Sequence, residues 1–115
     1  MFGGTEWLVD ARGCNPERLR DRAAMVALLD RIVSVMGLTV VTTAIHEFPD
    51  PGGVTAMYLL AESHLAIHTF PETGSLTLNV YCCKPRTAPA WDALLRELVG
   101  ATDVASSEHA RGSDA

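Results

Sequence analysis

Apolar positions along the chain follow two different periods, and the alternation between them predicts the secondary structure. Two-residue periodicity or β-branched apolar runs, which are typical of strands, cover residues 6–12, 38–46, 54–61, 64–70 and 75–83. Helical spacing of apolar residues follows an Asn15-Pro16-Glu17 start signal and stops at Gly37. A second helical pattern covers residues 89–99.

The order strand, helix, four strands, helix predicts an α+β fold. We expect a two-layer sandwich in which an antiparallel sheet carries two helices on one face. Residues 1–101 would form this single domain. Residues 102–115 are small and polar, and we expect them to be a disordered tail.

Alternation in the later strands predicts which face the helices cover. Leu65 and Ile67 fall on one face, together with Leu76, Leu78 and Val80. The opposite face carries His64, Ala66, His68, Phe70, Thr77, Asn79, Tyr81 and Cys83. Two helices cover only one side of a sheet, so this second face must meet water or a second copy of the chain.

Composition excludes several kinds of partner. The 115 residues carry a formal net charge of −5, and no basic stripe suited to nucleic acid is present. No apolar run approaches the ~20 residues that span a bilayer, and no signal peptide is recognisable. Three cysteines form an odd set without a Cys-x-x-Cys pair, which suits a reducing cytosol. We therefore expect a cytoplasmic protein without nucleic-acid or membrane partners.

Residues 62–72 carry the groups needed for self-cleavage. The hydroxyl of Ser63 can attack the carbonyl of Glu62 and exchange the amide for an ester. His68, largely neutral at pH 7, is the candidate base that removes the serine α-proton. β-Elimination then expels the upstream chain, and hydrolysis of the resulting dehydroalanine leaves a pyruvoyl group. The products would be chains 1–62 and 63–115.

A pyruvoyl carbonyl can serve as the cofactor of a decarboxylase. It forms a Schiff base with a substrate amine and accepts electrons when carbon dioxide leaves. Cys83, on the same predicted face as His68, is a candidate acid for the returning proton. A metal site is not expected, because four residues along a strand separate His64 from His68 by ~13 Å.

The residues 62–72 closely resemble the self-processing site of the S-adenosylmethionine decarboxylases, which are pyruvoyl enzymes of polyamine synthesis. Bacterial and archaeal members carry Glu-Ser-His-x-x-Ile-His-Thr-aromatic-Pro-Glu, and every one of these positions is present here. The family cysteine follows fifteen residues after the histidine, as Cys83 follows His68. The resemblance extends over roughly residues 2–84.

This resemblance implies roles for single residues and an assembly. Ser63 would become the pyruvoyl group, His68 would assist processing, and Cys83 would donate the proton. Thr55 stands where a serine assists processing in the family. The resemblance also implies substrate contacts: Phe2 would stack on adenine, Glu72 would bind the ribose hydroxyls, and Glu6 would be an active-site acid. The family's small members are homodimers, four-layer αββα sandwiches whose sites lie at the interface.

Departures from the family pattern keep alternatives open. The family's Phe-Thr-Cys-Gly is Tyr81-Cys82-Cys83-Lys84 here, so Cys82 competes with Cys83 for the role of acid. The first hypothesis is a decarboxylase of S-adenosylmethionine that supplies spermidine synthesis. The alternatives are a pyruvoyl decarboxylase of arginine or ornithine on the same scaffold, and an uncleaved, non-catalytic dimeric binding module.

Overall fold

A computed structural model describes residues 3–112 of the chain. It contains one six-stranded sheet and three helices, in an α+β arrangement that agrees with the predicted fold class. The elements are β1 (Gly3–Arg12), α1 (Pro16–Leu19), α2 (Arg22–Met36), β2 (Val40–Glu47), β3 (Val54–Leu60), β4 (Ser63–Phe70), β5 (Ser75–Cys82), α3 (Trp91–Val99) and β6 (Asp103–Gly112).

The first predicted helix starts and stops as its signals indicate but is interrupted once. The Asn15 side chain accepts a hydrogen bond from the amide of Glu17, and Gly37 ends α2 in a left-handed conformation with φ 67°. Between them Asp21 accepts a hydrogen bond from the Ala23 amide and so starts a second helix. The continuous helix expected from the sequence is therefore a short α1 followed by a longer α2.

The sheet is antiparallel throughout and has the order β2-β3-β4-β5-β1-β6. The central strand β4 pairs with β3 on one side and with β5 on the other. The chain segment that carries the predicted processing residues therefore lies in the middle of the sheet, where backbone hydrogen bonds hold it on both sides.

The two faces of the sheet differ as the alternation predicted. On the inner face Leu65 and Ile67 are fully buried and pack with the helices in one apolar core, which also includes Leu76, Leu78 and Val80. The buried hydroxyl of Thr69 donates a hydrogen bond to the carbonyl of Leu19 and accepts one from the amide of Val54, so its burial is compensated. On the outer face His68 and Phe70 are exposed.

The C-terminal segment corrects a prediction. Residues 103–112 form strand β6, which pairs with the whole of β1 from Gly3 to Arg12, and are not a disordered tail. Most of the side chains of β6 are exposed, so the strand lacks the apolar alternation that identifies a strand from sequence. Backbone pairing holds it, together with a 2.8 Å hydrogen bond from the Trp7 indole to Glu108. Within residues 3–112 no helix is long and apolar enough to cross a membrane.

Candidate active site

The Glu62–Ser63 peptide bond lies at a tight turn between two central strands. Leu60 and Ser63 are paired across this turn, so only two residues connect β3 to β4. The backbone amide of Cys83 donates a hydrogen bond of 3.0 Å to the carbonyl oxygen of Glu62. The carbonyl that Ser63 would attack is therefore already held by a hydrogen-bond donor from the end of β5, as an oxyanion would need.

Two adjacent cysteines reach this bond from different sides. Cys82 lies directly opposite Ser63 in the β4–β5 register and is buried, and both residues line one small cavity. Burial raises the pKa of the Cys82 thiol, whereas the charge of Arg86 and the contact with Ser63 act in the opposite direction. Cys83, one residue further, is exposed.

Basic side chains surround the same bond. Lys84 forms an ion pair of 3.1 Å with the side chain of Glu62. Lys84 and Arg86 line a small cavity of about 110 Å³ together with Glu62, Ser63 and Cys82. The cavity can admit a water molecule, which hydrolysis of dehydroalanine requires.

His68 belongs to a second group of residues, at the opposite end of β4. Its Nδ1 atom lies 3.1 Å from the hydroxyl oxygen of Thr55, its direct partner in the β3–β4 register. Such a hydrogen bond restricts the ring and selects its tautomer. The two side chains predicted to assist processing therefore lie next to each other.

A larger cavity of about 450 Å³ opens beside this pair. The loop between β2 and β3 and the end of β4 bring two half-exposed aromatic rings, Phe48 and Phe70, to its wall. Glu72, on the short 3₁₀ turn Pro71–Thr73 that follows β4, adds a carboxylate. Aromatic rings with a few polar groups are typical of a small-molecule site.

The two groups of residues are separated within one copy of the chain. Ser63 and His68 are five residues apart on β4, which corresponds to about 16 Å along a strand. An odd spacing also places their side chains on opposite faces. In one copy, the predicted base therefore does not reach the predicted nucleophile. The sequence alone could have shown this, because residues an odd number of positions apart, such as 63 and 68, cannot share a face of a regular strand.

A third group of polar residues occupies the outer face near β1. Glu6, only 15% of whose side chain is exposed, accepts a hydrogen bond of 3.0 Å from Asn79 and forms an ion pair with Arg111. Asn79 lies 3.4 Å from His64, whose ring stacks on Tyr81 with centroids 5.7 Å apart. Sequence reasoning missed Arg111, because residues from 102 onward were assigned to a tail. Phe2, the predicted adenine-stacking residue, lies outside the described residues.

Comparison with known proteins assigns the chain to a family. A family model described as S-adenosylmethionine decarboxylase matches residues 5–112. The chain is 34% identical over 113 residues to an S-adenosylmethionine decarboxylase proenzyme of Prochlorococcus marinus, covering 97% of this chain and 90% of that protein. A proenzyme of the same name from Pyrobaculum islandicum is 34% identical over 88 residues, which are 75% of this chain and 70% of that protein.

A solved structure extends the likeness to the fold. The crystal structure of the adenosylmethionine decarboxylase from Aquifex aeolicus VF5 superposes with a TM-score of 0.80 at 29% identity, covering 96% of this chain and 92% of that one. The chain belongs to the S-adenosylmethionine decarboxylase family.

Proposed function

We propose that this protein is a self-processing, pyruvoyl-dependent decarboxylase of S-adenosylmethionine. One observation carries the proposal: the Glu62 carbonyl is held by the Cys83 amide at 3.0 Å, next to the Ser63 hydroxyl, in a chain whose relatives from Prochlorococcus marinus and Pyrobaculum islandicum are named proenzymes. Because Ser63 pairs with Cys82, this bond continues the β4–β5 ladder by one step, and the ladder holds the carbonyl at the start of the strand that carries the serine.

Self-cleavage would use the described groups in sequence. The Ser63 oxygen bonds to the Glu62 carbonyl carbon, the peptide C–N bond breaks, and the hydroxyl proton is transferred to the released amine. The Cys83 amide stabilises the negative charge that develops on the Glu62 oxygen. A base then removes the α-proton of Ser63, and the carboxylate of Glu62 leaves. Water replaces the nitrogen of the remaining dehydroalanine with oxygen and releases ammonia.

The surroundings of Ser63 fit the group that this sequence of steps would produce. Ser63 is the first residue of β4, so a break before it leaves the hydrogen bonds of β4 to β3 and β5 in place. The pyruvoyl group supplies a carbonyl that binds a substrate amine and withdraws electrons when carbon dioxide is lost. Cys83, with an exposed thiol beside this position, would return a proton to the substrate.

The cavity beside His68 is the proposed substrate site. The rings of Phe48 and Phe70 offer faces on which adenine can stack and which attract a sulfonium cation. Glu72 offers carboxylate oxygens to the ribose hydroxyls. Arginine and ornithine have neither a purine ring nor a ribose, and for this reason we favour S-adenosylmethionine over these two substrates.

Two copies of the chain would be needed to complete one site. The outer face exposes apolar Leu8, Met57 and Leu59 beside the polar groups, which suits contact with an identical face. A two-fold axis between two facing sheets and perpendicular to β4 would bring residue 68 of one copy over the backbone of residue 63 of the other, from which the α-proton is removed. In this homodimer, the αββα arrangement expected from the resemblance, His68 and Thr55 would act across the interface.

The first experiment is the intact mass of the purified protein under denaturing conditions. We expect two chains, 1–62 and 63–115, the second blocked by a pyruvoyl group. Release of carbon dioxide is then measured with S-adenosylmethionine, arginine and ornithine, and only the first should react. A single chain of 12.4 kDa without activity would instead favour the binding-module alternative.

Complementation tests whether sites are shared between copies. Ser63→Ala and His68→Ala chains are each expected to be inactive alone. Co-expressed, they should form mixed dimers in which one site combines an intact Ser63 with an intact His68, and cleavage and decarboxylation should return. Co-expression of Ser63→Ala with Thr55→Ala is a second such pair, because Thr55 and His68 lie in one group. The absence of any recovery in both pairs would contradict a shared site.

The proposed reaction also places the protein in metabolism. Decarboxylated S-adenosylmethionine is an aminopropyl donor, and we propose that it supplies spermidine synthesis in the cytoplasm.

A further inference from the structure

We propose that Cys82 positions the Ser63 hydroxyl for self-cleavage, while Cys83 holds the reacting carbonyl through its backbone amide. This inference rests on the proposed function and adds a residue to its first step. The two adjacent cysteines would then have different roles, because the side chain of one holds the attacking hydroxyl and the main chain of the other holds the carbonyl group that is attacked.

The register of the sheet brings both cysteines to one peptide bond. Cys82 is the direct partner of Ser63 across the β4–β5 pair, and both line the same small cavity. The next residue, Cys83, donates its amide to the Glu62 oxygen at 3.0 Å. Consecutive strand residues point to opposite faces, so the Cys82 thiol is buried on the inner side while the Cys83 thiol is exposed.

The Cys82 thiol can orient the serine without acting as its base. Burial raises the pKa of this thiol, so the sulfur is protonated at neutral pH. A neutral sulfur accepts a weak hydrogen bond from the Ser63 hydroxyl and limits the rotation of that side chain. The serine oxygen is then kept near the carbonyl carbon, and the attack loses less conformational freedom on the way to the ester.

Cleavage must be measured as it happens, because a processed protein no longer contains the bond. The chain is made by cell-free synthesis with a short pulse of labelled methionine, and the appearance of the 1–62 fragment is followed on denaturing gels. Four sequences are compared: the unsubstituted chain, Cys82→Ala, Cys82→Ser and Cys14→Ala. Cys14 is a second buried cysteine, and it lies away from the turn, so it controls for the loss of a buried thiol.

We expect Cys82→Ala to slow cleavage about twofold, the lower end of the net contribution of one hydrogen bond. Cys82→Ser, which restores a hydrogen-bonding side chain, should recover most of this rate, and Cys14→Ala should cleave at the unsubstituted rate. Hydroxylamine, which splits the ester into a Glu62 hydroxamate and a free Ser63 amino terminus, should trap less ester early in the Cys82→Ala reaction. The Cys14→Ala control should also decarboxylate at the unsubstituted rate per mole of processed chain.

Two results would overturn the role of Cys82. The first is a Cys82→Ala chain that cleaves as fast as the unsubstituted one. The second is a Cys82→Ser chain as slow as Cys82→Ala, since volume rather than hydrogen bonding would then be the property that matters. In both cases the unsubstituted chain still cleaves, and the proposed function stands. An unsubstituted chain that never cleaves would overturn both proposals.

Discussion

The inner and outer faces of the sheet are built from the same strands but serve different purposes. On β4, Leu65 and Ile67 are fully buried beneath the helices, whereas His64 and His68, which flank them in sequence, point the other way. Leu65, Ile67 and the buried apolar side chains that β1, β3 and β5 present on this face form one apolar core. The outer face instead presents histidines, a carboxylate, an asparagine and a thiol beside exposed apolar side chains.

This difference separates two kinds of substitution. Changes on the inner face should act on the free energy of unfolding, because they remove buried apolar contacts. Changes on the outer face should act on cleavage, on decarboxylation or on association of two copies. Ser63 connects the two faces: it has the parity of the inner face, but it lies at the first position of its strand, where the core ends.

Ser63→Ala should have the largest effect on function. The side chain loses one oxygen, so the chain can form neither the ester nor the pyruvoyl group. We expect a single uncleaved chain by intact mass and no measurable decarboxylation, with an unfolding midpoint in urea close to that of the unsubstituted protein. A Ser63→Ala protein that still decarboxylates S-adenosylmethionine would contradict the pyruvoyl mechanism.

Cys83→Ala should separate cleavage from decarboxylation. The substitution removes the exposed thiol but keeps the backbone amide that holds the Glu62 carbonyl. We expect cleavage to proceed at nearly the normal rate and turnover to fall about a hundredfold, the lower range for loss of a general acid. Intact mass and carbon dioxide release measure the two steps. If Cys82→Ala rather than Cys83→Ala loses turnover after normal cleavage, the acid is the buried thiol.

Leu65→Ala and Leu59→Ala compare the faces directly. Leu65 is fully buried on the inner face, whereas 53% of Leu59 is exposed on the outer face. Removal of the Leu65 side chain should lower the free energy of unfolding by about 3 kcal/mol, as for other buried leucines. The same change at Leu59 should cost less than about 1 kcal/mol in dilute protein. Urea denaturation measures both, and equal losses would contradict the division between the faces.

Residue alternation predicted this division well, and local signals predicted the helix ends. Because a strand has a two-residue period, the alternation of Leu65 and Ile67 with His64 and His68 predicts which side of β4 faces the core. The Asn15 cap and the Gly37 stop are equally local. Such features depend only on neighbours in sequence, so one sequence is enough to predict them.

Features that depend on distant pairing were missed. Strand β6 carries mostly exposed side chains. It forms because the edge of β1, which is distant in sequence, is available for pairing. The hydrogen bond between Trp7 and Glu108 joins residues that are 101 positions apart. The contact between Cys82 and Ser63 likewise follows from the β4–β5 register, which composition does not reveal. Nothing local in the sequence marks Arg111 as the partner of Glu6.

Tyr58→Phe should test the inner face with a smaller change. The Tyr58 hydroxyl donates a hydrogen bond of 3.0 Å to Asp30 of α2, and burial, with this bond and charge, raises the pKa of Tyr58 to about 12. An unfolded tyrosine releases its proton near pH ~10. The folded form therefore holds the proton that the unfolded form loses, and the stabilisation present below pH ~10 is lost as the pH rises towards 12.

The substitution removes this group and its pH dependence. We expect the free energy of unfolding of the Tyr58→Phe chain to be about 1 kcal/mol lower at pH 7. Its further decline above pH ~10 should be shallower than that of the unsubstituted chain. Urea titrations at several alkaline pH values measure both, with Tyr81→Phe on the outer face as the control. Identical alkaline slopes for the Tyr58→Phe and unsubstituted chains would contradict the assignment.

Arg111→Gln should give the smallest effect and tests whether the unforeseen strand β6 contributes to the outer face. Arg111 pairs with Glu6, and within residues 3–112 Asn79 is the side chain that would still hold that carboxylate after the change. Because more than half of the Arg111 side chain is exposed, the loss in unfolding free energy should stay below about 1 kcal/mol. If Glu6 acts in the site, turnover should fall about threefold, and the difference should shrink at high salt, which screens the pair.

Arg18→Gln, an exposed arginine bound to the Glu97 carbonyl on the helical side, is the matched control. Equal turnover of the two variants would mean that β6 completes the sheet without serving the site, and the chemistry of the outer face would then end at β1.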